Sequence, residues 1–244
     1  MQISDPFDKM DLAKAELICE REKSMKEKSR KLFWTALCLL AAFAVWTAMV
    51  CTIDVRPAGP RGSEVGFCTV NQWVHGLFGV HMSLYVVTDW LGLVPVGIAF
   101  GFAVLGLVQW ISRKKLLKVD HDILALGVFY LVVMAVYLLF EEIVINYRPV
   151  LIEGFLEASY PSSTTILASC VMPTAGMQIR ARVRNRRMGH VLAALCLVFL
   201  AFMVIGRLIS GVHWFSDIVG GLLLSGGLVA AYASFFVRCS IGMR

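Results

Sequence analysis

HVLAALCLVFLAFMVIGRLISGVHWFSDIVGGLLLSGGLVAAYASFFV, residues 190–237, holds two apolar runs, 190–206 and 214–237, joined by a short link that carries Arg207 and His213. Each run is close to the roughly 20 residues that cross about 30 Å of hydrocarbon. A pair of helices satisfies every backbone N–H and C=O of such a stretch without water, so the segment reads as a helical hairpin in a bilayer. The polar link then lies at one membrane surface, where Asp217 begins the returning helix.

The same pattern extends outward. Four further apolar stretches cover about 32–53, 84–111, 123–140 and 163–179. Of the 244 residues 58% are hydrophobic and 16% charged, with a mean hydropathy of +0.73, a composition that calls for lipid as the solvent. The expected fold class is therefore all-α, a six-transmembrane-helix bundle over residues 32–237. Residues 1–31 form a cytoplasmic juxtamembrane segment, helical through the Glu22–Lys26 and Glu27–Lys31 spacings, and 238–244 a cytoplasmic tail. Asp89 and Pro95 indicate that the second span begins after Trp90. Gly97 with Gly101, and Gly221 with Ser225, are spaced for close helix packing.

Charge sets the orientation. Nineteen of the 23 Lys and Arg residues fall in four alternate segments: the N-terminal segment, the links at 113–118 and 180–187, and the tail. The positive-inside rule makes that side cytoplasmic, with both termini there. The net charge of +6 thus needs no nucleic-acid partner. The seven cysteines form no framework; Cys51 and Cys68 are the pair able to meet outside, and their spacing does not settle whether they do. No Cys/His cluster has zinc-ligand spacing, so neither metal nor cofactor is expected.

Three polar segments remain on the outer side: Glu141 to Pro149, Tyr160 to Thr165 and Gly206 to Asp217. Arg148 and Arg207 offer forked donors suited to phosphate oxygens. A helix opening on Ser162, Ser163 and Thr164 presents amides and hydroxyls to an anion. His213 lies one turn before Asp217, so the carboxylate can orient the imidazole and leave its other nitrogen as a nucleophile. Each feature has an ordinary structural reading as well: a snorkelling arginine, a helix cap with hydroxyls on free amides, a satisfied polar pair. Together they describe a phosphoryl-transfer site.

These segments resemble the type 2 phosphatidic acid phosphatase (PAP2) superfamily of membrane lipid phosphatases. Its motifs are Lys, six residues, Arg-Pro; then Pro-Ser-Gly-His; then Ser-Arg, five residues, His, three residues, Asp. Arg207, His213 and Asp217 keep both spacings of the third, with Gly206 in place of its serine. Arg148-Pro149 matches the first and Pro161-Ser162 the second, and the resemblance covers roughly residues 80–237. It implies that His213 attacks phosphorus, that Asp217 orients it, and that Arg148, Arg207, Ser162 and Ser163 hold phosphate. Residues 1–80 add the first span and peripheral parts.

Besides Gly206, three positions depart from the pattern, the first being Ser163, which stands where the second motif has glycine. Glu141 replaces the motif lysine, and Thr164 replaces the histidine that protonates the leaving alkoxide. A threonine hydroxyl is far too weak an acid for that work. Glu141 and Thr164 are therefore accessory at most, and Glu142, Glu153, Glu157, Tyr160, His75 and His81 are the alternative proton donors on the outer side. His75 and His81 lie in an apolar stretch, Trp73 to Tyr85, that reads as lying along the membrane surface. The expected function is hydrolysis of a lipid phosphate or diphosphate through a phosphohistidine at the extracytoplasmic face, with polyprenyl diphosphate a candidate substrate. The alternative is a degenerate relative that binds lipid phosphates as transporter, scaffold or sensor. Oligomeric state is not legible.

Overall fold

The computed structural model describes the backbone of residues 6–242. Residues 1–5, 243 and 244 and the side chains of residues 6–15, 17 and 240–242, Lys9 and Lys14 among them, lie outside the described residues, as do the extreme ends of the segments 1–31 and 238–244 and the charge of Arg244.

Among the described residues eight α-helices follow in chain order: α1 Pro6–Thr52, α2 Cys68–Phe78, α3 Met82–Leu91, α4 Leu93–Arg113, α5 His121–Glu142, α6 Ser163–Arg182, α7 Arg186–Ile209 and α8 Phe215–Gly242. A two-residue hairpin, β1 Arg56–Pro57 against β2 Glu64–Val65, decorates the link after α1. The juxtamembrane segment and the first span are one helix, with Lys31 on Glu27 at 2.8 Å and Lys26 on Glu22 at 3.8 Å. The second span breaks at Gly92, so α4 begins just past Trp90 as its Asp and Pro suggest.

Five helices among the described residues are long and apolar enough to cross a bilayer, not six. The exception is α6, which occupies the centre of the bundle and buries Thr165, Ser169, Thr174 and Gln178 beside Ile166, Cys170 and Val171. A helix that meets other helices rather than lipid packs through small and polar side chains, and its hydropathy falls accordingly. Lipid-side helices show the reverse: Phe100, Leu131 and Val198 stand exposed on α4, α5 and α7. The core lies where α5, α6 and α8 meet, around Leu126, Phe129, Cys170, Leu224 and Tyr232. Helix α1 closes against α8, where Ser29 Oγ donates to the Ser234 carbonyl at 3.0 Å.

The small-residue expectation divides. Gly221 packs on α6, where an added Cβ would sit 3.2 Å from Thr165. Gly97 and Gly101 face open space, because no described helix covers that side of α4. All seven cysteines are free, Cys51 and Cys68 included.

The links sort to two ends. At one end Arg182 pairs with Asp122 at 2.9 Å and Arg113 with Asp120 at 2.7 Å, tying the 114–120 and 183–185 links together. At the other end hydrogen bonds join the links 53–81, 143–162 and 210–214, and the candidate site lies there.

Candidate functional site

The link between α5 and α6 folds back on itself. Tyr147 bridges Ala158, Ser159 N donates to the Asn146 carbonyl at 2.9 Å, and Arg148 N to the Glu157 carbonyl at 3.0 Å. This brings Arg148 and Ser159, eleven positions apart, to the same end of one ribbon. The α7–α8 link turns through Gly211, whose φ of +68° favours glycine and where a Cβ would meet the Gly79 carbonyl oxygen at 2.0 Å. The turn aims His213 back into the bundle.

His213, Asp217, Arg207, Arg148 and Ser162 are all buried. The imidazole and carboxylate do not touch as their spacing suggests: Nδ1 and Asp217 Oδ2 stand 3.9 Å apart, beyond hydrogen-bond reach. Ser159 fills the gap. Its hydroxyl lies 3.2 Å from Nδ1 and donates to Asp217 Oδ2. Having given its one proton to the carboxylate, the hydroxyl accepts from Nδ1–H, which leaves the lone pair of His213 on Nε2. Three further donors reach Asp217: Trp214 N at 2.9 Å, Asn146 Nδ2 at 3.3 Å and Ser216 Oγ at 3.3 Å. Burial lowers the pKa of His213 to about 4, against the opposing pull of Asp217, and the nearby arginines add to the lowering. The imidazole is therefore neutral at physiological pH.

Both guanidiniums lie against one aromatic ring: Arg207 is 5.0 Å and Arg148 5.7 Å from the Tyr85 ring centroid. Arg207 Nη2 donates to Thr164 Oγ1 at 2.6 Å and to Asp89 Oδ1 at 3.2 Å. Arg148 Nε lies 3.1 Å from Glu157 without hydrogen-bond alignment. Four buried nitrogens here have no hydrogen-bond partner among the described residues: His213 Nε2, Arg148 Nε and Nη1, and Arg207 Nε. Gly206 has a steric reason, since a Cβ would come 2.8 Å from the Thr88 methyl. The position leaves room for Thr88 Oγ1 beside Arg207, at 3.4 Å from Nη1.

Several expectations change. Ser162 does occupy the N-cap of α6, but its hydroxyl makes no capping bond and instead accepts from Thr165 at 3.0 Å. Its amide donates to the Asp217 carbonyl at 3.2 Å, so α6 is tied to α8 rather than left open to an anion at that position. Residues 54–81 are not peripheral. Asn71 accepts from Ser216 N at 3.0 Å, and Gly66 N donates to Asn146 at 3.2 Å, so this link buttresses both sides of Asp217. Nor does Trp73 to Tyr85 form one surface element: the chain breaks between α2 and α3, and Tyr85 turns in to the arginines. His75 packs on Trp214 at 5.6 Å, whereas His81 is exposed, with Nε2 2.8 Å from the Phe78 carbonyl. Tyr160, another suggested donor, is engaged with Thr47 at 2.7 Å, and burial pushes its pKa up.

Glu141 and Ser163 line a narrow slot beside His213 with Ser159 and Tyr137. Ser163 and Tyr137 also border a larger cleft of about 440 Å³ between α4, α5 and α6. Asp89 and Thr164 sit at its polar end, and Leu93, Val96, Val133 and Leu167 line its apolar wall. Among the described residues no three His, Cys, Asp or Glu side chains gather as metal ligands.

Ser159, Tyr85 and Asn71 are the site residues that motif reading misses. The only sequence signal for Ser159 is its place two residues before Pro161-Ser162; Tyr85 and Asn71 carry none.

A family model described as the PAP2 superfamily matches residues 125–240. No curated protein matches the chain. Among solved structures the chain is similar to the first transmembrane PAP2-type phosphatidylglycerolphosphate phosphatase from Bacillus subtilis, with a TM-score of 0.54 and 17% identity. That match covers 84% of this chain and 97% of the other, and at this identity it speaks for the fold.

Proposed function

We infer that the chain, whose residues 125–240 match the PAP2 superfamily model, is a multi-pass membrane lipid phosphatase working through a phosphohistidine. The observation that carries the reading is the set of unpartnered nitrogens on His213, Arg148 and Arg207. Burying a polar group without a partner costs about 1–3 kcal/mol, more when it is charged. A phosphate bound between the arginines offsets that cost.

In the proposed reaction Arg148 and Arg207 hold the phosphoryl oxygens and neutralise charge as the transition state forms. Nε2 of His213 attacks phosphorus, forming the N–P bond as the bond to the leaving oxygen breaks. The cation that develops on the ring is stabilised through Nδ1–H, the Ser159 hydroxyl and Asp217. Water then attacks the phosphohistidine, giving its proton to a nearby base, and inorganic phosphate and neutral imidazole result. Glu141, on the slot beside His213, is the carboxylate suited to take that proton.

The lipid chain would occupy the apolar cleft, which meets the slot at Ser163 and Tyr137. The structural neighbour is named for phosphatidylglycerolphosphate. Here Thr164 receives Arg207 instead of supplying an acid, which favours a leaving group that is itself a phosphate, as in a polyprenyl diphosphate. The reading takes α6 as a sixth span, both termini as cytoplasmic and the site as extracytoplasmic, supported by the charge split. The absent histidine also favours a second reading, a protein that binds lipid phosphate without cleaving it.

The test is phosphate release from lipid mono- and diphosphates in mixed micelles by wild type and His213→Ala. We expect release by wild type and its loss in the variant, with lipid binding retained. Binding without release in wild type selects the second reading, and wild-type rates in His213→Ala refute the nucleophile.

A further inference from the structure

At the end of the bundle opposite His213, α1, α6, α7 and α8 part around a cleft of about 570 Å³. Its rim carries Lys28, Arg180, Arg186 and His190, one or two from each of three helices, and among the described residues no acidic side chain lines it. Its wall is apolar, formed by Leu32 and Met177 with Phe236 and Val237. The positive-inside rule accounts for basic residues on this side of a membrane, but not for their convergence on one apolar cleft.

The neighbouring cations are disposed differently. Arg182 is neutralised by Asp122 at 2.9 Å, Arg113 by Asp120 at 2.7 Å, and Arg238 Nε donates to Ser29 at 2.9 Å. Lys28, Arg180, Arg186 and His190 form no ion pair among the described residues. Like charges drawn together without a counter-ion repel, so the arrangement favours an anion on the rim. The apolar wall beneath requires that the anion bring hydrocarbon with it.

We propose that this cleft is a second lipid site, taking the headgroup of an anionic phospholipid from the adjoining leaflet on Lys28, Arg180 and Arg186, with an acyl chain along Leu32, Met177 and Phe236. It is separate from the phosphoryl-transfer site and does not depend on that site's chemistry. Basic clefts between spans at the cytoplasmic surface suit anionic headgroups, each Lys or Arg contributing about fivefold in affinity.

The experiment titrates fluorescent phosphatidylglycerol into the full-length protein in neutral detergent, in a His213→Ala background so that turnover does not intervene. Arg180→Gln/Arg186→Gln should weaken binding by about 25-fold, while Arg180→Lys/Arg186→Lys retains most of it. Arg184→Gln/Arg187→Gln removes the same charge from exposed positions off the cleft, and its affinity should stay within about twofold of the parent. Unlabelled phosphatidylglycerol should compete, and phosphatidylcholine and free glycerol phosphate should not. Unchanged affinity in Arg180→Gln/Arg186→Gln, or an equal loss in Arg184→Gln/Arg187→Gln, overturns the proposal. Competition by glycerol phosphate as strong as by the lipid overturns it too, because the cleft then takes a soluble anion. If the double variant does not fold, Arg186→Gln, at an exposed position, should show the fivefold step alone, and its absence is equally decisive.

Discussion

Replacing Ser159 by alanine tests how Asp217 acts on His213. The ring nitrogen and the carboxylate oxygen are 3.9 Å apart, so among the described residues the hydroxyl is the one hydrogen-bonded route between them. Hydrogen bonds to charged groups contribute about 1.5–3 kcal/mol. If that interaction grows as His213 becomes cationic, its loss should lower kcat by about 10- to 150-fold. KM should change little, because Arg148 and Arg207 still hold the phosphate. Ser159→Thr, which keeps a hydroxyl, should recover much of the rate. Asp217→Asn should be strongly impaired, and adding Ser159→Ala to it should cost almost nothing more, since both changes interrupt one route. The assay is steady-state phosphate release from a lipid diphosphate in mixed micelles. A Ser159→Ala enzyme within twofold of wild type, or additive losses in the double variant, would refute the bridge.

Other outcomes follow from the same geometry. Because burial lowers the His213 pKa to about 4, the attacking lone pair persists as pH falls, and the acid limb of kcat/KM moves down from the ordinary histidine value near 6.5. Activity corrected for the substrate's own titration should hold from pH 7 to 5.5; a tenfold drop over that interval contradicts a neutral buried imidazole. Thr164→His should raise kcat/KM for lipid monophosphates, by up to ~100-fold, more than for diphosphates. The gain is limited by the loss of the 2.6 Å bond to Arg207, and an enzyme already preferring the monophosphate points to another acid, with Glu141 the first to replace. Phe155→Cys and Arg184→Cys, each in a cysteine-free background, should label from opposite sides of the membrane; labelling from one side contradicts the proposed orientation.

The sequence by itself determined the membrane class, the approximate place of five long apolar helices and the break near Trp90, because hydropathy and length report how each segment meets its solvent. It also singled out Arg207, His213 and Asp217 around the α7–α8 link as candidate site residues, since their spacing is a local property of the chain. The tertiary structure decided how those residues are connected. His213 and Asp217 share a helical face in the spacing, yet the chain turns at Gly211 and leaves 3.9 Å between them, which a serine from another link occupies. Tyr85 against the two arginines, Asn71 beside Ser216 and Asp89 on Arg207 likewise come from segments with no phosphate-binding pattern. Helix α6 shows the same limit in the opposite sense. Its polar side chains lower its hydropathy because its solvent is protein, and only the packed bundle reveals which helix stands at the centre. Periodicity records the phase of each helix but not its neighbours. The neighbours are chosen by burial and hydrogen bonding across links distant in sequence, and those long-range contacts shape the candidate site.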